Sequence, residues 1–495
     1  MPKPYDVIII GGGIVGCMTA RWLSRYALRI LMIEKAPDVC TGVTAANSAL
    51  IHAGHDAVPG TLKARMNIRA NPLWDRLSQE LQFGFARTGS YILAVGAEEL
   101  QRLELLLDRA HKNRVSAKIL SQKEMCRREP KVNSAVSGAL FVPSGGVCDP
   151  WGATVAAAEN AVMNGVEICL ETEFQDFLWS EQEPRRIMGI KTSRGPFLGR
   201  WVVNAAGLFA DEVMHKAGVR PEFRITPRRG EYFILDRNQI QVQNVLFPVP
   251  NNISKGILVA TTVHGNTLIG PDAQDTEEKS ESDVTLEGMA RVWEGGRKLV
   301  PGLQREQIIA SFAGLRPAGN AQCLSPGVNY GHDFIIEVPD QVKGFVNLGG
   351  MESPGLTAAP AIAKRVVELL QEAGEVLNPK AHWNPIRPAR PIFRRLSRDE
   401  QAALVAKDPR YGRVVCRCEC VTEGEIVAEI HAPIPATTYD AIKRRTWLGT
   451  GRCLGGFDMP RVVQILSREL GKDPIEITKK GPGSPFLFRR TKEVS

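Results

Sequence analysis

Apolar positions along this chain change period several times, and each change outlines an element. Residues 7–10, VIII, are continuously apolar, as in a strand buried on both faces of a parallel sheet. The run stops at Gly11. Residues 17–26 then read as a helix, and LRILMIEK (28–35) reads as a second strand ending at Glu34. WVVNAAGLFAD (201–211) is another apolar strand, broken at Ala205, Ala206 and Gly207. Residues 344–370, GFVNLGGMESPGLTAAPAIAKRVVELL, predict a strand, a glycine turn at Gly349 and Gly350, and a long helix with Gly355, Leu356 and Thr357 near its start. The stretch after residue 370 is rich in proline and arginine and predicts a linker wrapping a surface. Beyond it, Thr422-x-x-Glu425 is a capping box that opens a helix, residues 438–448 predict a second, and Pro460 sits near the start of a third.

The first of these segments carries chemistry. Gly11, Gly13 and Gly16 form G-x-G-x-x-G between a strand and a helix. Such glycines permit a tight turn and a close backbone approach, and the helix N-terminus offers free N–H groups and a positive dipole end to a pyrophosphate. Glu34, 18 residues after Gly16, is placed to accept hydrogen bonds from ribose hydroxyls. A dinucleotide site follows from this context. The start of the helix at Gly355 is suited to stabilising negative charge on a reduced flavin.

Composition bounds the rest. A chain of 495 residues, 43% hydrophobic and 23% charged, predicts a soluble protein of about three domains. No apolar run approaches the ~18 residues of a membrane span, and no secretory signal precedes the first strand. A cytoplasmic chain with reduced thiols is expected. The net charge of +8 comes without a long basic run, which argues against nucleic-acid binding and suits an anionic cofactor or substrate.

The three apolar-strand segments, in this order and spacing, resemble the D-amino-acid-oxidase-like superfamily of FAD enzymes over residues 1–370. The resemblance implies an α/β fold: an FAD-binding Rossmann-like domain with an inserted antiparallel-sheet substrate domain, plus a small C-terminal helical domain. The FAD-binding domain is expected at 1–75, 148–210 and 340–372, and the substrate domain at 76–147 and 211–339. A linker (373–409), the helical domain (410–480) and a tail (481–495) would complete the chain. Gly11, Gly13, Gly16, Glu34, Ala206, Gly207, Gly350, Gly355, Leu356 and Thr357 are the implied cofactor contacts.

NS-x-x-IHAG (47–54) followed by PGTLKA (59–64) is similar to the branch that holds glycerol-3-phosphate oxidases and dehydrogenases and L-2-hydroxyglutarate dehydrogenases. All oxidise a secondary alcohol, which needs a base for the hydroxyl proton while hydride leaves to the flavin. His52 is the candidate base, and a histidine that only hydrogen-bonds the flavin is the other reading. His55 is read as a local contact. By the same resemblance Arg316, Lys255 and Ser353 approach the anionic end of the substrate, with Tyr232 nearby. Arg228 and Arg229 read equally well as surface charges. His264 shares a segment with Lys255. Glycerol 3-phosphate is the favoured substrate. A 2-hydroxy acid such as L-2-hydroxyglutarate, or a role as an electron-transfer subunit whose FAD is reduced by a partner, is the alternative.

Three of the ten cysteines lie in VCRCECV (415–421). With the helices after them they resemble the bacterioferritin-associated-ferredoxin-like [2Fe-2S] domain over residues 410–475. That pattern is Cys-x-Cys, about thirty residues, then Cys-x4-Cys. Cys416 and Cys418 form the first pair and Cys453 follows after 34 residues, but the fourth position holds Asp458. Three readings stay open: Asp458 ligates iron through oxygen, Cys420 substitutes, or the fold persists without metal. A cluster would relay electrons to an acceptor protein or a quinone-linked subunit. It would favour a dehydrogenase over an oxidase and allow a peripheral position at the inner membrane through that partner.

Overall fold

The computed structural model describes residues 3–181, 185–238, 240–250, 256–320, 332–490 and 492. The apolar strand Tyr5–Ile10 lies inside an eight-stranded sheet. Val7 pairs in parallel with Ile30 on one side and with Trp201 on the other, and Val202 pairs in parallel with Phe345 beyond. The three segments picked out by their apolar runs are therefore neighbours in one sheet, although the third begins more than three hundred residues after the first. Helices Ile14–Leu23, Pro150–Met163 and Gly355–Glu372 share one core cluster with this sheet. Helix Ala210–Ala217 packs into a second cluster that includes Ile8 and Val202.

A second sheet of nine strands is mostly antiparallel. Its longest pairing joins Ile225–Leu235 to Ile308–Gly319, and this register sets Arg228 opposite Arg316 and Tyr232 opposite Phe312. Strand Ile335–Glu337 pairs with Phe345–Gly349 in the first sheet, inside a stretch that the sequence assigns to the substrate domain. Helix Ala210–Ala217 likewise straddles the expected boundary at 210, because its apolar face buries in a cluster with residues of the first sheet such as Ile8, Val202 and Phe345.

The C-terminal part has its own core, built from helices Glu423–Ile430, Tyr439–Thr446 and Met459–Leu470. The capping box at Thr422 is formed in both directions, and Pro460 lies in the first turn of the third helix. The connecting stretch holds helix Arg398–Lys407, which the proline content had hidden; its own capping box at Ser397 and Glu400 starts it. Upstream of that helix, Arg387 and Arg390 meet the buried Glu159 at 2.5 and 2.7 Å, and Arg390 also pairs with Glu429, so the stretch is tied to both of its neighbours. Among the described residues no helix is long and apolar enough to cross a membrane.

Candidate active site and cysteine centre

A cavity of about 1520 Å³ runs from the glycine loop to the second sheet. Gly11 and Gly13 line it, with Glu34 beside them. Gly11 has φ +110°, and a Cβ there would sit 2.5 Å from the Ala205 carbonyl oxygen. A Cβ on Gly16 would meet the Gly11 carbonyl oxygen at 2.0 Å. Gly16 does not line the cavity; it lets the helix press against the strand. The helix is capped by Gly13 without a side-chain bond, leaving backbone donors at its N-terminus. The Glu34 carboxylate accepts N–H bonds from Gly12 (2.7 Å) and Ala36 (2.9 Å), while burial pushes it above the usual carboxylate range. Ala206, Gly207, Gly355 and Leu356 also line the cavity. A long, glycine-floored cavity with a helix N-terminus and a carboxylate at one end fits FAD.

His52, Ser353, Arg316 and Tyr232 meet further along the same wall. His52 Nε2 and Ser353 Oγ are 3.3 Å apart. The His52 backbone N–H donates to Thr357 Oγ1 at 2.9 Å, and that hydroxyl also reaches the Leu50 carbonyl. Thr357 is fully buried and off the cavity wall, so it anchors the strand that carries His52. Tyr232 stacks on Phe312 with ring centroids 4.6 Å apart, and burial pushes its phenol up to about 12. Arg316 donates to three main-chain carbonyls, those of Arg228, Arg229 and Asp272. Among the described residues no carboxylate pairs with it. Its neighbour Arg228 also lines the cavity but is neutralised by Asp275 at 2.6 Å. Arg229 is buried, with Glu231 and Glu281 as partners.

Other expected residues fall elsewhere. Lys255 lies outside the described residues. Gly350 has φ +65° and turns the chain after strand Phe345–Gly349 without lining the cavity. His55 is buried beside the site and His264 packs under Trp447 of the C-terminal part, and neither lines the cavity. Lys63 was missed: it lines the cavity within PGTLKA and pairs with Glu352 at 2.6 Å. Its backbone N–H and that of Leu62 are both accepted by Asp333. Arg102 and Arg109 were missed as well, since a cation on an amphipathic helix carries no signal of its own.

The cysteine donors meet two by two. Cys416 is buried, and its thiol is hydrogen-bonded to Asp458; burial pushes the thiol up to about 12. Cys418 and Cys453 are hydrogen-bonded to each other. Asp458 is fully buried and accepts from Tyr439 Oη at 2.6 Å through Oδ1, while among the described residues Oδ2 has no hydrogen-bond partner. Cys420 itself has φ +52°, is exposed, and points its sulfur to the Arg417 carbonyl, because the backbone turns there instead of continuing as a strand. Among the described residues no group of three or more His, Cys, Asp or Glu converges closely enough to hold a single metal ion. A dinuclear cluster asks for something else, two ligands on each of two irons. Cys416 with Asp458 and Cys418 with Cys453 each bring two donors of the kind such a cluster uses together.

Comparisons with known proteins agree with this division. Residues 6–369 match the family of FAD dependent oxidoreductases, and residues 414–468 match the BFD-like [2Fe-2S] binding domain. The chain is 43% identical to a glycerol 3-phosphate dehydrogenase of Caloramator mitchellensis, over 99% of each chain. It is 34% identical to a glycerol 3-phosphate oxidase of Mycoplasma genitalium, over 77% of this chain and 98% of the other. The structure of L-alpha-glycerophosphate oxidase from Mycoplasma pneumoniae with FAD bound superposes with a TM-score of 0.71 at 33% identity, covering 78% of this chain and 99% of that one.

Proposed function

The chain belongs to the FAD-dependent oxidoreductase family, and on that premise we propose that it oxidises the secondary alcohol of glycerol 3-phosphate to dihydroxyacetone phosphate. One observation carries the reading. His52, Ser353 and Arg316, which no carboxylate bonds among the described residues, line the one cavity that begins at the glycine loop. The likeness to glycerol 3-phosphate dehydrogenases and oxidases supports the choice of substrate.

Bound FAD supplies a two-electron hydride acceptor. Arg316 grips the phosphate, its guanidinium held in place by main-chain carbonyls. Lys255 is a second phosphate contact in this reading. Ser353 and His52 flank the alcohol, and His52 takes the hydroxyl proton as the carbon gives up its hydrogen. Thr357 fixes the backbone of His52, and Tyr232, held neutral by burial, closes the pocket beside Arg316. Cys416, Cys418, Cys453 and Asp458 would hold a [2Fe-2S] cluster, which would supply a one-electron relay toward an acceptor protein or a quinone-linked subunit. The chain is cytoplasmic in this reading and reaches the inner membrane only through that partner.

Anaerobic absorbance titration with glycerol 3-phosphate, run beside L-2-hydroxyglutarate, tests the proposal. Flavin bleaching by the phosphate ester alone is expected. Bleaching by hydroxyglutarate alone would transfer Arg316 to a carboxylate and replace the substrate. Bleaching by neither would favour a subunit reduced by a partner.

A further inference from the structure

The match to FAD dependent oxidoreductases ends at residue 369, yet the wall of the FAD cavity does not. Asp440, Arg444 and Lys480 of the C-terminal part also line it. They approach the end that holds Glu34. The loop after Glu34 carries Asp38, fully buried, which accepts Arg444 Nη2 at 2.7 Å and both terminal nitrogens of Arg445 at 2.7 and 2.8 Å. The same loop is tied to the glycine turn through the Cys40 N–H, 3.0 Å from the Gly12 carbonyl oxygen. Gly481, at φ +108°, lies flat against Pro37, where a Cβ would come within 2.8 Å of the proline ring. The C-terminal part thus grips the loop that follows the ribose-facing carboxylate at two separate points.

Within the ion-pair network of this grip the charges do not cancel. Asp38, Glu159 and Glu429 face four guanidiniums, those of Arg387, Arg390, Arg444 and Arg445. Three negative charges against four positive leave one positive charge. Arg444 has a side chain only 10% exposed, and among the described residues its Nε has no hydrogen-bond partner. Lys480 is exposed on the cavity wall, and Asp440 is already neutralised by Lys479 at 2.8 Å. The excess is cationic and borders a cavity whose dinucleotide carries two phosphate charges.

We propose that the C-terminal domain completes the FAD site: Arg444 and Lys480 supply positive charge to the diphosphate-bearing half of the cofactor, and the domain holds the 35–42 loop closed over it. In this assignment the domain retains the cofactor as a part of its binding site, in addition to any role in electron transfer. The inference rests on the reading that the cavity binds FAD.

The test is FAD release from the full-length holoprotein, followed by the rise in flavin fluorescence at low and high salt. R444M is expected to accelerate release by about tenfold and K480E by about threefold, with the wild type's own release quickening as salt screens the contact. K472E alters an exposed lysine of the same domain away from the cavity and is expected to release FAD at the wild-type rate. Because Lys480 is exposed, K480E separates a contact with cofactor from any folding defect of R444M. Wild-type release from both R444M and K480E, or equal acceleration by K472E, would overturn the proposal. A chain that takes up no flavin at all would overturn both this inference and the reading beneath it.

Discussion

Trp151, in the helix that follows the buried Asp149, stacks on Trp447 of the C-terminal part with ring centroids 4.5 Å apart and planes 22° from parallel. Trp447 Nε1 donates to Asp149 Oδ2 at 3.2 Å, and the His264 ring lies 3.7 Å from the Trp447 ring. The Trp151 Nε1–H reaches the Ala45 carbonyl on the cavity wall. One indole thus contacts the FAD-binding part and the substrate sheet and belongs to the cysteine domain. Trp447→Ala should cost about 2 kcal/mol, because it removes a half-buried aromatic pair and the indole donor to a buried carboxylate. Faster proteolysis within residues 373–409 and a lower melting temperature are the expected readouts. An unchanged cleavage rate would mean that the arginine–carboxylate ties alone hold the domain.

The same joint predicts opposed pH effects. Burial, with Arg394, Arg395 and Arg237 nearby, holds His264 down to about 3, against 6.5 for an ordinary histidine. Between those values the unfolded chain binds the extra proton, so the His264 contribution is full above pH 6.5 and is lost as pH falls towards 3. Burial raises Asp149 to about 6 from 3.8, so there the folded chain holds the proton and stability declines as pH rises from about 4 to 6. Asp149→Asn should therefore expose a fall in melting temperature from pH 6.5 down to 4. His264→Gln should leave the reverse trend, a rise as pH falls from 6 to 4. Each slope is at most about 1.4 kcal/mol per pH unit. Melting curves of both variants across this range check the signs.

His52→Asn should lower the rate of flavin reduction by about 10²- to 10⁴-fold and leave FAD bound, since the variant removes a base and keeps a side chain of similar reach. Stopped-flow reduction under anaerobic conditions measures it. An unchanged rate would leave His52 as a hydrogen-bonding neighbour of the flavin.

Arg316→Met should raise KM for glycerol 3-phosphate by about 10²-fold, through loss of a charge-assisted contact of about 3 kcal/mol. The effect should fall on KM more than on kcat, because the phosphate is remote from the reacting carbon. Arg228→Met should change KM far less, as Asp275 already takes up its charge.

Asp458→Cys would give the cysteine centre four thiolates. Iron should then be lost to a chelator more slowly than in the wild type, and the thiol would forfeit the strong bond from Tyr439. Iron-to-protein ratio and the rate of bleaching under chelator read this out. Cys420→Ser should change neither, because that sulfur is exposed and turned to the Arg417 carbonyl.

The α/β fold was legible because its signals are local. Residues 7–10, the glycine turn and Glu34 lie within thirty residues, and the parallel strand, close turn and helix N-terminus follow from backbone sterics and burial. The capping boxes were legible for the same reason. The linker helix Arg398–Lys407 has no buried residue and no apolar face, so the period that reveals most helices was missing from it. Thr357 was expected at the cofactor, and its place behind the wall depends on how the helix starting at Gly355 docks on strand Leu50–Ile51; Gly350, also expected there, lies against Asp333, Gly319 and Phe223.

What the sequence determined by itself was the set of elements and the kind of chemistry: a dinucleotide loop, a histidine and an arginine in alcohol-oxidising motifs, and a cysteine centre with one carboxylate. Only the tertiary structure decided which charges are paired. Arg316 and Arg228 are both arginines facing one cavity, yet strand pairing gives Arg228 a bonded aspartate, while among the described residues Arg316 bonds to main-chain carbonyls. Asp38 and Arg444 are four hundred residues apart in the chain, and their bond places the last domain against the first loop. Charge compensation and burial depend on partners brought together from distant segments, and local sequence carries no trace of which partner arrives.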